Sequence, residues 1–237
     1  MQPTPAVDTL IAPLFKKTRK RPAQYIIDID LLDAPLSIQR RLSIPSNMNL
    51  GYVQEILMLA MGWQGHHLKE ITFDNVTYTT RYAGGQNPEP MDEFPQKDSY
   101  KHTLGDLLKT EEDSLLFKYD FGDGWTHLVT LSEIRPYSDI HIQSEDYWAE
   151  LISGEGACPP DDVGGTSGYA ELLKTINSPT DIDFEDILNW IGPDFDPYYF
   201  GHRLTQARIN DFQRTIGEAR WGFYSFLAVS PPREPMS

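Results

Sequence analysis

The sequence has little that would support several common classes of protein. Its 237 residues include a single cysteine, Cys158, so no internal disulfide can form, which is typical of a reducing compartment. No stretch reaches the roughly 18 apolar residues that a membrane span requires, and the N-terminus lacks the layout of a secretion signal. We therefore expect a soluble, cytoplasmic protein without membrane association.

Positive charge is also scarce, and it is unevenly distributed. The chain has 20 Lys and Arg against 35 Asp and Glu, a formal net charge of -15. Residues 139–196 carry fourteen acidic residues against Lys174 alone, whereas residues 1–21 carry five basic residues against Asp8. Non-specific nucleic-acid affinity comes from Lys and Arg that displace counterions, so broad nucleic-acid binding is disfavoured. The acidic stretch instead favours a basic protein partner or a cation.

Signatures of the common nucleotide-dependent enzymes are absent as well. No Gly-Lys-Ser/Thr triplet is present to form a phosphate-binding loop. The string from Gly154 to Pro159 has proline where a dinucleotide fingerprint needs its last glycine, and it follows no clear strand. The triplet Asp120-Phe121-Gly122 occurs in protein kinases, but no other kinase motif precedes it.

What the sequence does contain is enough apolar surface for one folded domain, with 40% hydrophobic residues. Alternating apolar residues predict strands over residues 25–32 and 38–44, and Arg40 falls on the apolar face of the second. A helix is predicted from an Asn47 or Asn49 cap to Gly62. Turn residues predict two hairpins, one that pairs residues 67–73 with 76–82 and one that pairs 115–119 with 126–134. Three helices are predicted after them, over residues 168–177, 184–190 and 204–220. This order predicts an α+β fold with a mostly antiparallel sheet, one early helix and a helical C-terminal part.

The domain organisation predicted from these patterns is simple. Residues 1–22 combine prolines with a basic run and are interpreted as a flexible basic arm. Residues 23–230 are interpreted as a single α+β domain.

Two loops concentrate residue types that bind metal ions. The first holds Asp120 and Asp123 and leads to His127, and the second runs from Cys158 to Gly165; the pair His66-His67 follows the early helix. Imidazole, carboxylate and thiolate groups are ligands for Zn²⁺ and other divalent transition metals. The candidate ligands are His127, Asp120, Asp123, Cys158, Asp161 and Asp162. The alternative is structural: the aspartates cap their own turns, Cys158 is a small apolar side chain and His127 belongs to the core.

The ordered set of motifs resembles the plasmid pRiA4b ORF-3-like family over roughly residues 23–200. The resemblance rests on the strings beginning at Arg40, Met61, His66, Tyr119 and Cys158. It implies a single α+β domain of uncharacterised function, and some members carry a transposon-passenger or resolvase-like label.

Two hypotheses for the function follow. The first is a non-enzymatic binding or accessory protein linked to mobile elements, whose acidic region meets a basic protein partner. The second is a metal-dependent hydrolase or nuclease-like enzyme, in which a bound ion lowers the pKa of a water and Asp161 or Asp162 takes the proton. No residue is assigned as catalytic, and whether the protein is an enzyme stays open.

Overall fold

The structure is a computed structural model that describes residues 22–80, 94–136 and 149–228, with side chains described as far as residue 216, apart from Pro136. The predicted arm, residues 1–22, therefore lies outside the described residues except for Pro22. The described strands are β1 Ala23–Leu31, β2 Gln39–Pro45, β3 Lys69–Phe73, β4 Val76–Thr79, β5 Gln96–Asp98, β6 Ser114–Tyr119, β7 Trp125–Pro136 and β8 Glu150–Glu155. The α-helices are α1 Leu50–Met61, α2 Leu104–Leu107, α3 Gly165–Ile176, α4 Phe184–Ile191 and α5 His202–Ala228.

All eight strands belong to one sheet with the order β5-β4-β3-β6-β7-β1-β2-β8. Every neighbouring pair is antiparallel except β4 and β5, which are parallel. The prediction of a single α+β domain with a mostly antiparallel sheet is confirmed.

The best-predicted elements are those with the clearest local signals. The hairpin between β3 and β4 turns at Asp74 and Asn75, whose φ angles of 48° and 57° match the left-handed conformation of a two-residue turn. Helix α1 begins after Asn49, whose side chain accepts a hydrogen bond from the Gly51 amide, and ends at Gly62, whose φ is 122°.

Two strands were missed because their sequences lack alternation. β5 is a polar edge strand of three residues, and β8 lies in the acidic stretch, where no strand is predicted, with Leu151 as its buried side chain. The string from Gly154 to Pro159 begins within β8, so the prediction that no strand precedes it is wrong.

The core lies between one face of the sheet and α1, with α3 and α5 contributing at its edge. Its buried apolar side chains include Ile27, Ile29, Leu42, Ile44, Val53, Ile56, Leu57, Phe117, Val129, Leu131, Tyr169 and Ile209. Arg40 lies on this face as the alternation of β2 predicts, and it is buried. No helix in the described part of the chain is long and apolar enough to cross a membrane.

Candidate metal centre

Three stretches of chain meet at one end of the sheet. They are the turn between β6 and β7, the loop between β8 and α3, and the segment that leads from α1 to β3. Asp120 opens the turn with a left-handed φ of 55°, and its Oδ1 accepts hydrogen bonds from the amides of Gly122 (2.9 Å) and Asp123 (3.3 Å). This turn uses one carboxylate oxygen of Asp120 and leaves Oδ2 directed toward His67.

The loop between β8 and α3 packs closely against that turn. Oδ2 of Asp123 accepts a hydrogen bond from the Gly164 amide at 3.1 Å. A Cβ atom at Gly165 would lie 2.6 Å from the Asp123 carbonyl oxygen, and Gly165 has a φ of 67°. Only glycine fits both the close approach and the left-handed backbone. The approach brings Asp162, whose φ is 62°, to the segment that follows α1.

His67 lies between the two aspartates. Its Nδ1 is 3.5 Å from Oδ2 of Asp120, and its Nε2 is 3.3 Å from Oδ1 of Asp162. Ligand atoms of the three residues lie within 4.8 Å of one another, and this is the one such group of His, Cys, Asp or Glu among the described residues. The side chain of Asp162 is 75% exposed and that of Asp120 is 10% exposed, so the cluster opens to solvent on one side.

Asp161 and Tyr119 border the cluster. Oδ2 of Asp161 accepts a hydrogen bond from the Gln64 amide at 3.4 Å, whereas its Oδ1 is buried without a hydrogen-bond partner. The Tyr119 hydroxyl accepts a hydrogen bond from the Gly65 amide, and burial, assisted by the charge of Asp161, raises the pKa of Tyr119 to about 12. Tyr119 is therefore a neutral phenol at physiological pH, and its ring contacts that of His67 edge to face.

Arg40 ties together the two chain segments that carry His67 and Asp162. Its buried guanidinium donates to the carbonyls of Ala60 and Met61 at the end of α1, and to those of Glu155 and Gly156 at the end of β8. Burial lowers its pKa to about 10, so it stays charged at neutral pH. The cation faces the negative end of the α1 dipole. Arg40 thus positions both segments without touching the cluster.

His127 lies in the core, outside the cluster. Its Nε2 is 3.2 Å from the indole nitrogen of Trp63, and its Nδ1 is 3.0 Å from the Phe117 carbonyl oxygen. An indole N–H can only donate and a carbonyl can only accept, so Nε2 accepts and Nδ1 carries the proton. Burial lowers the pKa of His127 to about 4. Both ring nitrogens are used, which favours a structural role.

Cys158 also lies outside the cluster. It packs against α1, where a Cβ atom at Gly62 would lie 2.8 Å from its own Cβ. Burial raises the pKa of the thiol well above its ordinary value, although Arg40 favours the thiolate. A neutral thiol is a poor metal ligand.

The six predicted ligands therefore divide into three pairs. Asp120 and Asp162 belong to the cluster, Asp123 and Asp161 border it through hydrogen bonds that fix its loops, and His127 and Cys158 are packed elsewhere. The residue missing from the predicted set is His67. Its signal was the pair His66-His67 in the segment after α1, but nothing in the sequence shows that residues 67, 120 and 162 meet.

The fold and the cluster define a single-domain α+β protein with a histidine held between two aspartates at one end of a mixed sheet. Residues 23–203 match the model of a family described as plasmid pRiA4b ORF-3-like protein, and the chain belongs to that family.

Two relatives extend the comparison. The chain is 30% identical over 155 residues to the uncharacterized protein y4hQ of Sinorhizobium fredii (strain NBRC 101917 / NGR234), an alignment that covers 65% of this chain and 74% of the relative. It is similar to the crystal structure of a protein of unknown function, MM3350, from Methanosarcina mazei Go1, with a TM-score of 0.64 and 26% identity over 78% of this chain and 98% of that one. The first supports the family, and the second supports the fold.

Proposed function

We propose that this protein binds a divalent transition metal ion at His67, Asp120 and Asp162. The proposal rests on one observation. Ligand atoms of one histidine and two aspartates lie within 4.8 Å of one another, although the three residues come from separate segments of the chain. One imidazole and two carboxylates are a ligand set that suits Zn²⁺ and related ions.

The environment of His67 supports this proposal. Its Nε2 is buried and makes no hydrogen bond, although Oδ1 of Asp162 is only 3.3 Å away. Ligand atoms around a tetrahedral ion lie about 3.4 Å apart, so this separation suits a shared ion.

Charge gives a second physical reason. Asp120 and Asp162 bring two carboxylates to one histidine, and the adjoining Asp161 has one carboxylate oxygen that is buried without a hydrogen bond. A divalent cation would offset this negative charge, which is otherwise costly to concentrate in a partly buried site.

The proposal is tested by calorimetric titration and thermal unfolding after treatment with a chelator. We expect one Zn²⁺, Mn²⁺ or Ni²⁺ ion to bind, with the metal stabilising the fold by about 2.7 kcal/mol at a hundredfold excess over Kd, or roughly 5–10 °C in Tm. His67→Ala should abolish both effects. His66→Ala is the matched control, because His66 is its exposed neighbour in the chain and should bind as the wild type does. No binding of any ion, or equal binding by His67→Ala, would contradict the proposal.

Of the roles that a bound ion could have, the site supports hydrolysis best. Three protein ligands leave coordination positions open to water or a substrate oxygen, and Asp161 adjoins Asp162 as a carboxylate able to accept a proton. Asp161→Asn should keep the metal stoichiometry and lose metal-dependent cleavage of bis(4-nitrophenyl) phosphate, with His66→Ala again as control. If the wild type shows no metal-dependent cleavage in this assay, the hydrolase hypothesis fails for phosphodiesters while metal binding stands.

A further inference from the structure

The acidic region also presents a second surface, formed by residues that do not belong to the metal centre. Residues 175–201 hold six acidic residues and no lysine or arginine. Exposed carboxylates in this stretch include Asp183, Glu185, Asp186, Asp194 and Asp196. These carboxylates create a negative electrostatic potential along a short segment, which favours a positively charged partner.

The same stretch and the start of α5 expose large apolar side chains. Ile182 is 93% exposed and Trp190 is 49% exposed, and Tyr198, Tyr199 and Leu204 are also exposed. Tyr199 and Leu204 flank Gly201, each with a carbon atom within 4 Å of the position of a Cβ there, so they form a local apolar group. Large aromatic side chains that are exposed together with charges are typical of protein interaction sites.

Helix α4 shows how the two properties combine. Ile187 and Ile191 are partly buried and pack against the core, whereas Glu185, Asp186 and Trp190 face solvent. Asp186 and Trp190 are four residues apart and share a helix face. No residue of α4 is fully buried, so the helix lies at the periphery with a tryptophan on its acidic side.

We propose that the stretch from Ile182 to Gly201, together with Leu204, is a docking surface for a basic segment of a partner protein that also carries apolar side chains. Lysine and arginine of the partner would pair with the carboxylates and stack on Trp190 and the two tyrosines, while its apolar groups cover Ile182 and Leu204. Nucleic acids and anionic membranes carry the same sign of charge as this surface and would be repelled.

The test uses a fluorescein-labelled peptide in which lysine and arginine alternate with leucine and tryptophan, titrated with the full chain at low salt. We expect saturable binding that weakens as salt rises. Trp190→Ala and the double change Glu185→Gln with Asp186→Asn should each weaken binding at least about tenfold. A peptide with glutamate in place of its basic residues should not bind.

Matched variants elsewhere keep the test specific. Leu116→Ala removes an exposed apolar side chain from β6, and Glu150→Gln removes an exposed charge from β8, so both should bind as the wild type does. Far-ultraviolet circular dichroism and Tm confirm that the α4 variants are folded. If α4 has unfolded, Tyr198→Ser, outside the helix, replaces Trp190→Ala as the deciding variant.

Other results would overturn the proposal. Absence of peptide binding, or equal loss in the control variants, would exclude the surface. A dimer seen by sedimentation that Trp190→Ala dissolves would assign the surface to a second copy of the chain. Tighter peptide binding after removal of residues 1–21 would assign it to the chain's own basic segment. His67→Ala should leave peptide binding unchanged, so failure here is distinguishable from failure of the metal proposal.

Discussion

Two histidines occupy contrasting regions of this molecule. His127 lies in the buried polar region with Trp63 and Arg40, where each ring nitrogen has a neutral hydrogen-bond partner. His67 lies at the open end of the sheet between two carboxylates, with one nitrogen that makes no hydrogen bond. Residue type alone did not distinguish them. The two differ in their surroundings. Neutral groups accept from or donate to both ring nitrogens of His127, whereas His67 has one nitrogen without a hydrogen bond and two negatively charged carboxylates beside it.

The largest effect expected on the buried region is that of Arg40→Ala. The change leaves five backbone carbonyls without their guanidinium donor, and we expect a loss of roughly 3–5 kcal/mol in the free energy of unfolding. Arg41→Ala is the matched control, since Arg41 makes a half-exposed ion pair with Asp28 that contributes less than about 1 kcal/mol. Urea denaturation of both variants measures the difference, and similar losses would show that Arg40 does not join the two segments as described.

The next largest effect is a loss of stability in acid, which comes from His127 in the buried region. The pKa of His127 is lowered to about 4 in the folded protein, against 6.5 for an ordinary histidine, so the unfolded state binds a proton that the folded state does not. Stability from this group is complete above pH 6.5 and is lost as pH falls toward 4, by about 3 kcal/mol.

The measurement is the free energy of unfolding as a function of pH. His127→Gln, whose amide does not titrate, should reduce the slope between pH 6.5 and 4, even though the variant is less stable throughout. An unchanged slope in His127→Gln would show that His127 is not held neutral by its burial.

A smaller effect concerns the loop that brings Asp162 to His67. Gly165→Ala places a Cβ 2.6 Å from the Asp123 carbonyl in a left-handed backbone, and should cost about 1–3 kcal/mol and weaken metal binding. Gly124→Ala, in the neighbouring turn, has a φ of 75° but open space around its Cβ, so it should cost about 1 kcal/mol and keep metal affinity. Equal metal affinities in the two variants would mean that the loop contact does not hold the cluster.

The sequence predicted most of the fold because the fold uses local signals. The alternation in β1 and β2, the Asn49 cap and the Asp74-Asn75 turn each report their structure within a few residues. β8 was missed because it presents one buried side chain, Leu151, and is specified mainly by its pairing with β2.

The candidate site was half predicted for the same reason. Asp120 and Asp162 stand out as aspartates in glycine-rich loops, but their partner is determined by tertiary structure. The strand order places β3, which follows His67, beside β6, which precedes Asp120, and close packing at Gly165 adds Asp162. In the sequence, His127 is closer to Asp120 than His67 is. Only the hydrogen bond from Trp63, 64 residues away, shows that the ring of His127 already has a partner within the fold.

The most direct test of this account is an anomalous-difference map from crystals of the zinc-loaded protein, collected at the zinc absorption edge. We expect a single strong peak in contact with His67, Asp120 and Asp162, and no peak there in His67→Ala. A peak beside His127 or Cys158, or no peak in protein that binds zinc in solution, would contradict the assignment of the metal centre.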